Sequence, residues 1–204
     1  MRFNIFASGL AIALGLAGVR TIGFPEMAVA QQQTSEIDTA ISEGLRLLKE
    51  GSAESLKKAI GYFEKALRLT RSAKAQDKQA LALLALGKIH DSLGEKQKAI
   101  DYYNQSLPIF RAVGDRSYEA TTLNNLSGVY NSLGEKQKAI DYYNQALPIV
   151  RAVGNRSVEA TTLNNLGFAL DSQKQSELAI VVLKQSVNIY ESLRQEIKKL
   201  PRET

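Results

Sequence analysis

The sequence contains no cysteine, only one histidine and four prolines, and no dominant sign of charge. Without cysteine, the chain cannot form disulfides, cysteine-based zinc sites, iron–sulfur clusters or a cysteine nucleophile. Four prolines and 14 glycines are too few for a low-complexity or collagen-like chain. The hydrophobic share of 44% and the charged share of 23% are typical of a globular protein, and 204 residues suit one domain or one short solenoid.

The charge pattern argues against nucleic acid as a partner. The formal charge is +5, but the 26 basic and 21 acidic residues are mixed along the chain instead of forming a basic block. Nucleic-acid binding requires a concentrated basic stripe. Tyr102 and Tyr142 could stack on bases, but their helical spacing indicates partial burial, with Tyr103 and Tyr143 in the core.

The N-terminal segment, 1–30, has the order of regions found in a secretory signal peptide. Arg2 precedes an uncharged, mostly apolar run at 5–19, and Ala28 and Ala30 stand before Gln31. This order predicts export to the periplasm or the medium, with cleavage after Ala30. A spanning helix needs about 20 apolar residues, so we expect no stable membrane span after cleavage. A retained anchor and a buried N-terminal helix are the alternatives.

The rest of the chain repeats itself at a fixed interval. Residues 92–117 and 132–157 differ at three positions only, and the segment EATTLNNL at 119–126 recurs unchanged at 159–166. A fixed period of about 40 residues predicts a solenoid. The expected units cover about 76–115, 116–155 and 156–200, and an irregular unit covers about 35–73.

Each unit is expected to form two helices. Apolar residues recur at helical spacing on both sides of a glycine, such as Gly134, that can end the first helix in the left-handed conformation. Pro108 and Pro148 fall inside the expected second helices. Because the apolar pattern continues beyond them, we expect a kink there instead of a break, the alternative being a turn.

The pattern of large and small residues resembles the tetratricopeptide repeat. In the unit at 116–155 the matching positions are Leu123, Leu126, Ser127, Tyr130, Gly134, Ala139, Tyr143 and Ala146. The neighbouring units match at the same positions, except that Lys174 replaces the turn glycine. The resemblance implies an all-α, right-handed solenoid of antiparallel helix pairs that binds protein or peptide. The 40-residue period is similar to kinesin-light-chain repeats and to bacterial arrays that precede a CHAT (caspase-like) domain.

No catalytic, metal or cofactor site is expected. His90 is the only histidine, and its equivalents in the later units are Tyr130 and Leu170, so we expect it in the core. The chain shows no glycine-rich phosphate loop following a strand, and Asp91 and Asp101 do not have metal-ligand spacing. We therefore expect a protein that holds a partner and catalyses no reaction.

A peptide-binding groove is expected on the concave face, which the first helices of a solenoid line. In the resembling families an asparagine at the place of Asn125 and Asn165 bonds the backbone of an extended peptide, as amide groups can. The alternative is that the amides fix the stack of helices. The candidate groove residues are Asn124, Asn125, Asn164, Asn165, Thr121, Thr161, Asn131, Phe168 and Lys88. Their polar, uncharged centre favours a neutral or mixed peptide.

The C-terminal helix carries more apolar surface than one neighbouring helix can cover. A solenoid needs a polar outer face on its last unit, and residues 176–193 do not provide one. A following segment, another protein or a second copy in a homo-oligomer could cover this surface. The sequence thus favours a non-catalytic scaffold, with a truncated regulatory repeat region of a CHAT-type protein as the alternative.

Overall fold

The computed structural model describes residues 24–73 and 75–199. Every regular element in this part of the chain is a helix, as expected from the sequence. The eight helices are α1 (Phe24–Glu50), α2 (Ala53–Ala73), α3 (Gln76–Ser92), α4 (Lys96–Val113), α5 (Arg116–Ser132), α6 (Lys136–Val153), α7 (Arg156–Ser172) and α8 (Ser176–Lys198).

The helices pack as four consecutive pairs. The most extensive contacts join α1 to α2, α3 to α4, α5 to α6 and α7 to α8. Each first helix also contacts the next first helix, whereas no two second helices of the described chain come within 8 Å at their Cα atoms. The first helices therefore line the concave face of the solenoid, and the second helices spread apart on the convex face.

Small residues let the two helices of a pair cross closely. A Cβ atom added to Gly87 would lie 2.5 Å from the Tyr103 ring, and one added to Gly167 would lie 2.5 Å from Leu183. Ser127 occupies the equivalent buried position in the third pair. Since real Cβ atoms do not approach other atoms this closely, any larger side chain at Gly87 would push the helices apart.

The turn inside a helix pair contains a residue with a positive φ. At this turn Gly134 has a φ of 78°. Lys174 takes the same place in the last pair with a φ of 61°, which is unfavourable for a residue with a Cβ.

Pro108 and Pro148 lie inside continuous helices, α4 and α6. The expected continuation is confirmed, and the alternative of a turn is wrong.

Most of the predicted signal peptide lies outside the described residues. Residues 24–30, including Ala28 and Ala30, belong to α1. No helix in the described part of the chain combines the length and the apolar character needed to cross a membrane.

Candidate peptide-binding groove

A groove of about 270 Å³ lies between α5 and α7 on the concave face. Five of the nine candidate residues line it together: Thr121, Asn124, Asn125, Thr161 and Asn165. Thr162 and Val158 complete the lining. The groove has no charged side chain, so its hydrogen-bonding capacity comes from amides and hydroxyls.

Asn124 takes part in holding the two first helices together. Its Oδ1 atom lies 3.1 Å from the hydroxyl of Thr162, which can donate to it across the groove. The same hydroxyl also lies 2.8 Å from the carbonyl of Val158, so its single proton serves one acceptor at a time. At Asn124 the amide thus fixes the stack, which was the alternative interpretation of the asparagines.

Asn165 and Asn125 differ although they occupy equivalent positions. The side-chain amide of Asn165 hydrogen-bonds the hydroxyl of Tyr143 from the preceding pair. Burial raises the pKa of Tyr143 to about 12, and this hydrogen bond opposes part of the rise. The amide of Asn125 is half-buried and makes no side-chain hydrogen bond to any described residue. It is therefore the amide of the groove most available to a ligand.

The two threonines at the rim are also unequal. Thr121 and Thr161 both donate to a carbonyl one turn earlier in their own helix, at 2.9 and 3.0 Å. The Thr161 hydroxyl lies, in addition, 3.0 Å from that of Tyr190 on α8. Thr121 has no such second partner among residues 24–73 and 75–199, so the more open end of the groove lies beside Thr121 and Asn125.

Four candidate residues do not line this groove. Lys88 and Phe168 are exposed on α3 and α7, Phe168 to 61%. Asn164 is half-buried on α7. Asn131 accepts a hydrogen bond of 2.8 Å from Lys136, which locks the turn between α5 and α6.

Thr162 and Val158 line the groove although they are not among the residues predicted from the sequence. Both stand in or beside the repeated segment from which other groove residues were selected, Thr162 as the second threonine of EATTLNNL. The side chain of Thr162 is 2% exposed and hydrogen-bonds Asn124 on the neighbouring first helix. Because this contact depends on packing between helices, the sequence pattern does not predict it.

His90 lies in the core, as predicted. It is 7% exposed and stacks on Tyr102, with ring centroids 5.2 Å apart. Its Nδ1 atom is 2.5 Å from a carboxylate oxygen of Glu95, which ties the end of α3 to the start of α4. No group of three or more metal-ligating side chains occurs among residues 24–73 and 75–199.

The repeats are recognised as a known family by a sequence model. The model, described as tetratricopeptide repeat, matches residues 52–112, 105–152 and 118–192. The chain belongs to the tetratricopeptide repeat family. Tetratricopeptide repeats form helical scaffolds that generally mediate contacts between proteins. A search of curated protein sequences finds no match.

Solved structures of other tetratricopeptide repeat proteins are similar in fold. The apo form of RapI aligns with a TM-score of 0.73 at 15% identity, over 83% of this chain and 65% of RapI. A STAND signal-transduction ATPase with a tetratricopeptide repeat sensor, from Pyrococcus horikoshii, aligns with a TM-score of 0.69 at 20% identity, over 80% of this chain and 25% of that protein. The chain thus spans less than two thirds of either protein.

A kinesin light chain from Podosopora anserina, with nearly identical TPR-like repeats, has a TM-score of 0.59 at 17% identity. The alignment covers 86% of this chain and 80% of that protein. These likenesses confirm the expected all-α, right-handed solenoid and the kinesin-light-chain-like character of the tetratricopeptide repeats. At such low identity they concern the fold alone.

Proposed function

We propose that this tetratricopeptide repeat protein is a non-catalytic scaffold that holds an extended peptide in the groove between α5 and α7. The observation that carries the proposal is the amide of Asn125. It lies half-buried in a concave groove of about 270 Å³ and makes no side-chain hydrogen bond to a described residue. A side-chain amide can donate to a peptide carbonyl and accept from a peptide N–H, so it can bind backbone of any sequence.

The groove favours a neutral or mixed peptide segment. Its lining consists of amides, hydroxyls and one valine, without a cationic side chain that could neutralise an acidic ligand. Phe168 and Lys88 lie on the same concave face and would contact residues that flank the bound segment. Asn165 would provide a second amide contact to the peptide backbone, at the cost of its hydrogen bond with Tyr143.

The test uses the full chain and a peptide selected on it from a random phage-displayed library. Replacing both Asn125 and Asn165 by Ala should weaken the affinity for the selected peptide several-fold, since two hydrogen bonds to backbone are lost. Exposed Asn104, on the convex helix α4, provides the matched control, and Asn104→Ala should leave affinity unchanged. Equal affinity of the double variant and the parent, with unchanged helicity, would refute peptide binding by these two amides.

The alternative is that the repeats regulate a larger CHAT-type protein. The comparisons give no support to this alternative. Reading the coding sequence beyond Thr204 tests it. An in-frame CHAT-like region would indicate that the repeats are the regulatory part of a larger protein. In either case the proposed role of this chain is to bind protein or peptide, and this role requires no cofactor.

We also propose that the protein is exported and loses residues 1–30. The support is the order of basic, apolar and small residues in that segment. N-terminal sequencing of the mature protein should begin at Gln31. A protein that keeps Met1 and stays in the cytoplasm would contradict the proposal.

A second copy of the chain is the proposed cover for α8. Ile180, Val187 and Tyr190 are 52%, 53% and 43% exposed on one side of this helix. An antiparallel pair of α8 helices, centred between residues 187 and 188, would place Lys184 opposite Glu191 of the second copy. The same arrangement would place Glu177 opposite the second copy's Lys198, so the charges are self-complementary across a two-fold axis.

Sedimentation equilibrium of the full chain tests this pairing. Lys184→Glu should raise the dimer dissociation constant, and Lys184→Glu combined with Glu191→Lys should restore it, because the opposite charges meet again in exchanged positions. A monomer at all accessible concentrations would refute the homodimer. Failure of the double exchange to restore dimers would refute the proposed register.

A further inference from the structure

The last two junctions between repeats share an ion pair between an arginine and a glutamate. At the junction of α4 and α5, Glu119 is 3% exposed and its carboxylate accepts from Arg111 at 2.9 Å and also from Arg116. At the junction of α6 and α7, Arg151 donates to Glu159 at 2.7 Å. In both places a carboxylate from a first helix neutralises an arginine that ends the preceding second helix.

The first junction keeps the arginine and lacks the carboxylate. Arg71 stands at the end of α2, at the place of Arg111, but Gln79 stands on α3 at the place of Glu119. Gln76 likewise takes the place of Arg116. Among the described residues, no ion pair to Arg71 corresponds to the pair that joins Arg111 to Glu119.

A cavity occupies this junction on the convex face. It measures about 420 Å³ and is open to solvent between α2, α3 and α4. Its apolar wall is formed by Leu67, Leu83 and Tyr102, and its polar wall by Arg71, Gln79, Lys98, Asp101 and Gln105. The cavity thus joins the guanidinium of Arg71 to an apolar floor.

The other cation of the cavity already has a carboxylate partner, because Lys98 donates to Glu95 at 3.0 Å. Asp101 accepts from the neutral amide of Gln97 at 3.0 Å and keeps its negative charge. The Tyr102 ring lines the cavity and is stacked on His90, with the ring centroids 5.2 Å apart. Arg71 is therefore the cation of the wall for which the described residues supply no carboxylate partner.

We propose that this cavity binds a small carboxylate with an apolar body. The carboxylate would take the place at Arg71 that Glu119 takes at Arg111, and the body would rest on Leu67, Leu83 and Tyr102. A guanidinium holds a carboxylate through charge-assisted hydrogen bonds, and the apolar floor adds affinity by excluding water. The site lies on the face opposite to the peptide groove, so it is independent of the proposed function.

The probes are phenylacetate, its neutral analogue phenylacetamide and acetate, titrated into the full chain and followed by NMR shifts of Tyr102 and Gln79. Phenylacetate should saturate these shifts. Phenylacetamide and acetate should each bind at least about ten-fold more weakly, because each lacks one half of the ligand. Shifts that stay linear with phenylacetate, or equal binding of the amide, would overturn the proposal.

Two variants test the site against its internal counterpart. Gln79→Glu should abolish phenylacetate binding and raise the melting temperature, since the new carboxylate neutralises Arg71 as Glu119 neutralises Arg111. Arg71→Gln should abolish binding with little change in melting temperature, whereas Arg68→Gln, on the exposed side of α2, should change neither. Undiminished binding in the Gln79→Glu variant, or in Arg71→Gln, would show that the site is not built on this arginine.

Discussion

The helices α6 and α8 occupy equivalent places in successive repeats but have very different surroundings. Ile140 on α6 is 4% exposed, whereas Ile180, one period later on α8, is 52% exposed. Val150 and Tyr190 form a second equivalent pair, at 2% and 43%. The difference arises because α7 packs against α6, while no described helix packs on the same side of α8.

This comparison shows that burial in a solenoid is conferred by the neighbouring unit. Each repeat contacts only the units beside it, so an apolar side chain contributes to stability only where a neighbour covers it. The same side chain that is core in α6 is exposed to solvent in α8. Substitutions at equivalent positions should therefore have unequal effects.

The largest expected difference is between Ile140→Ala and Ile180→Ala. Ile140→Ala removes a fully packed side chain and should lower the free energy of unfolding by about 2–5 kcal/mol. Ile180→Ala should lower it by less than about 0.5 kcal/mol in the monomer. Urea unfolding followed by circular dichroism measures both, and equal losses would contradict the view that α8 lacks a neighbour.

The next largest difference in stability is expected between a glycine that faces another helix and a glycine that faces solvent. Gly87→Ala should cost about 1–3 kcal/mol, because its Cβ would overlap the Tyr103 ring. Gly128 lies in α5 with open space around it, and Gly128→Ala should stabilise by about 0.5–1 kcal/mol. Thermal unfolding of the two variants would reveal the opposite signs. A stabilising Gly87→Ala would show that the helices can separate freely.

A smaller change in stability is expected on exchanging glycine and lysine in the turns of the third and fourth helix pairs. Lys174→Gly should stabilise by about 0.5–1 kcal/mol, because glycine takes a positive φ without the clash of a Cβ. At the equivalent interior turn, Gly134→Lys should lower the stability. Paired denaturation curves provide the measurement, and a destabilising Lys174→Gly would show that the lysine side chain itself supports the last pair.

The smallest effect concerns the threonines that face the preceding first helix. Thr162 can donate to Asn124, whereas its equivalent Thr122 has the apolar Leu84 at the corresponding place and donates only within its own helix. Thr162→Val should therefore cost about 0.5 kcal/mol more than Thr122→Val. If Asn124→Ala is introduced first, this difference should vanish in a double-mutant cycle, and its persistence would exclude the Asn124 bond as the cause.

Much of the fold was predictable because its signals are local or periodic. The fixed period of the repeat, the turn glycines and the small residues at the crossings identify helix pairs without knowledge of their contacts. The groove was partly predictable, since Thr121, Asn125 and Thr161 belong to one repeated segment. Which amide is free was not predictable: Asn125 and Asn165 have identical neighbours in sequence, and only the packing shows that one of them hydrogen-bonds Tyr143.

The family, the succession of helix pairs and the absence of cysteine chemistry can be established from the residues alone. These follow from residue type and spacing, which set helix formation and packing over short distances. Which copy of a repeated residue is buried, bonded or exposed follows from the packing of the folded chain, as at Ile140 and Ile180. The physical reason is that burial and hydrogen bonding depend on the unit stacked next to a residue, and nearly identical units have different neighbours at the ends and in the middle of the solenoid.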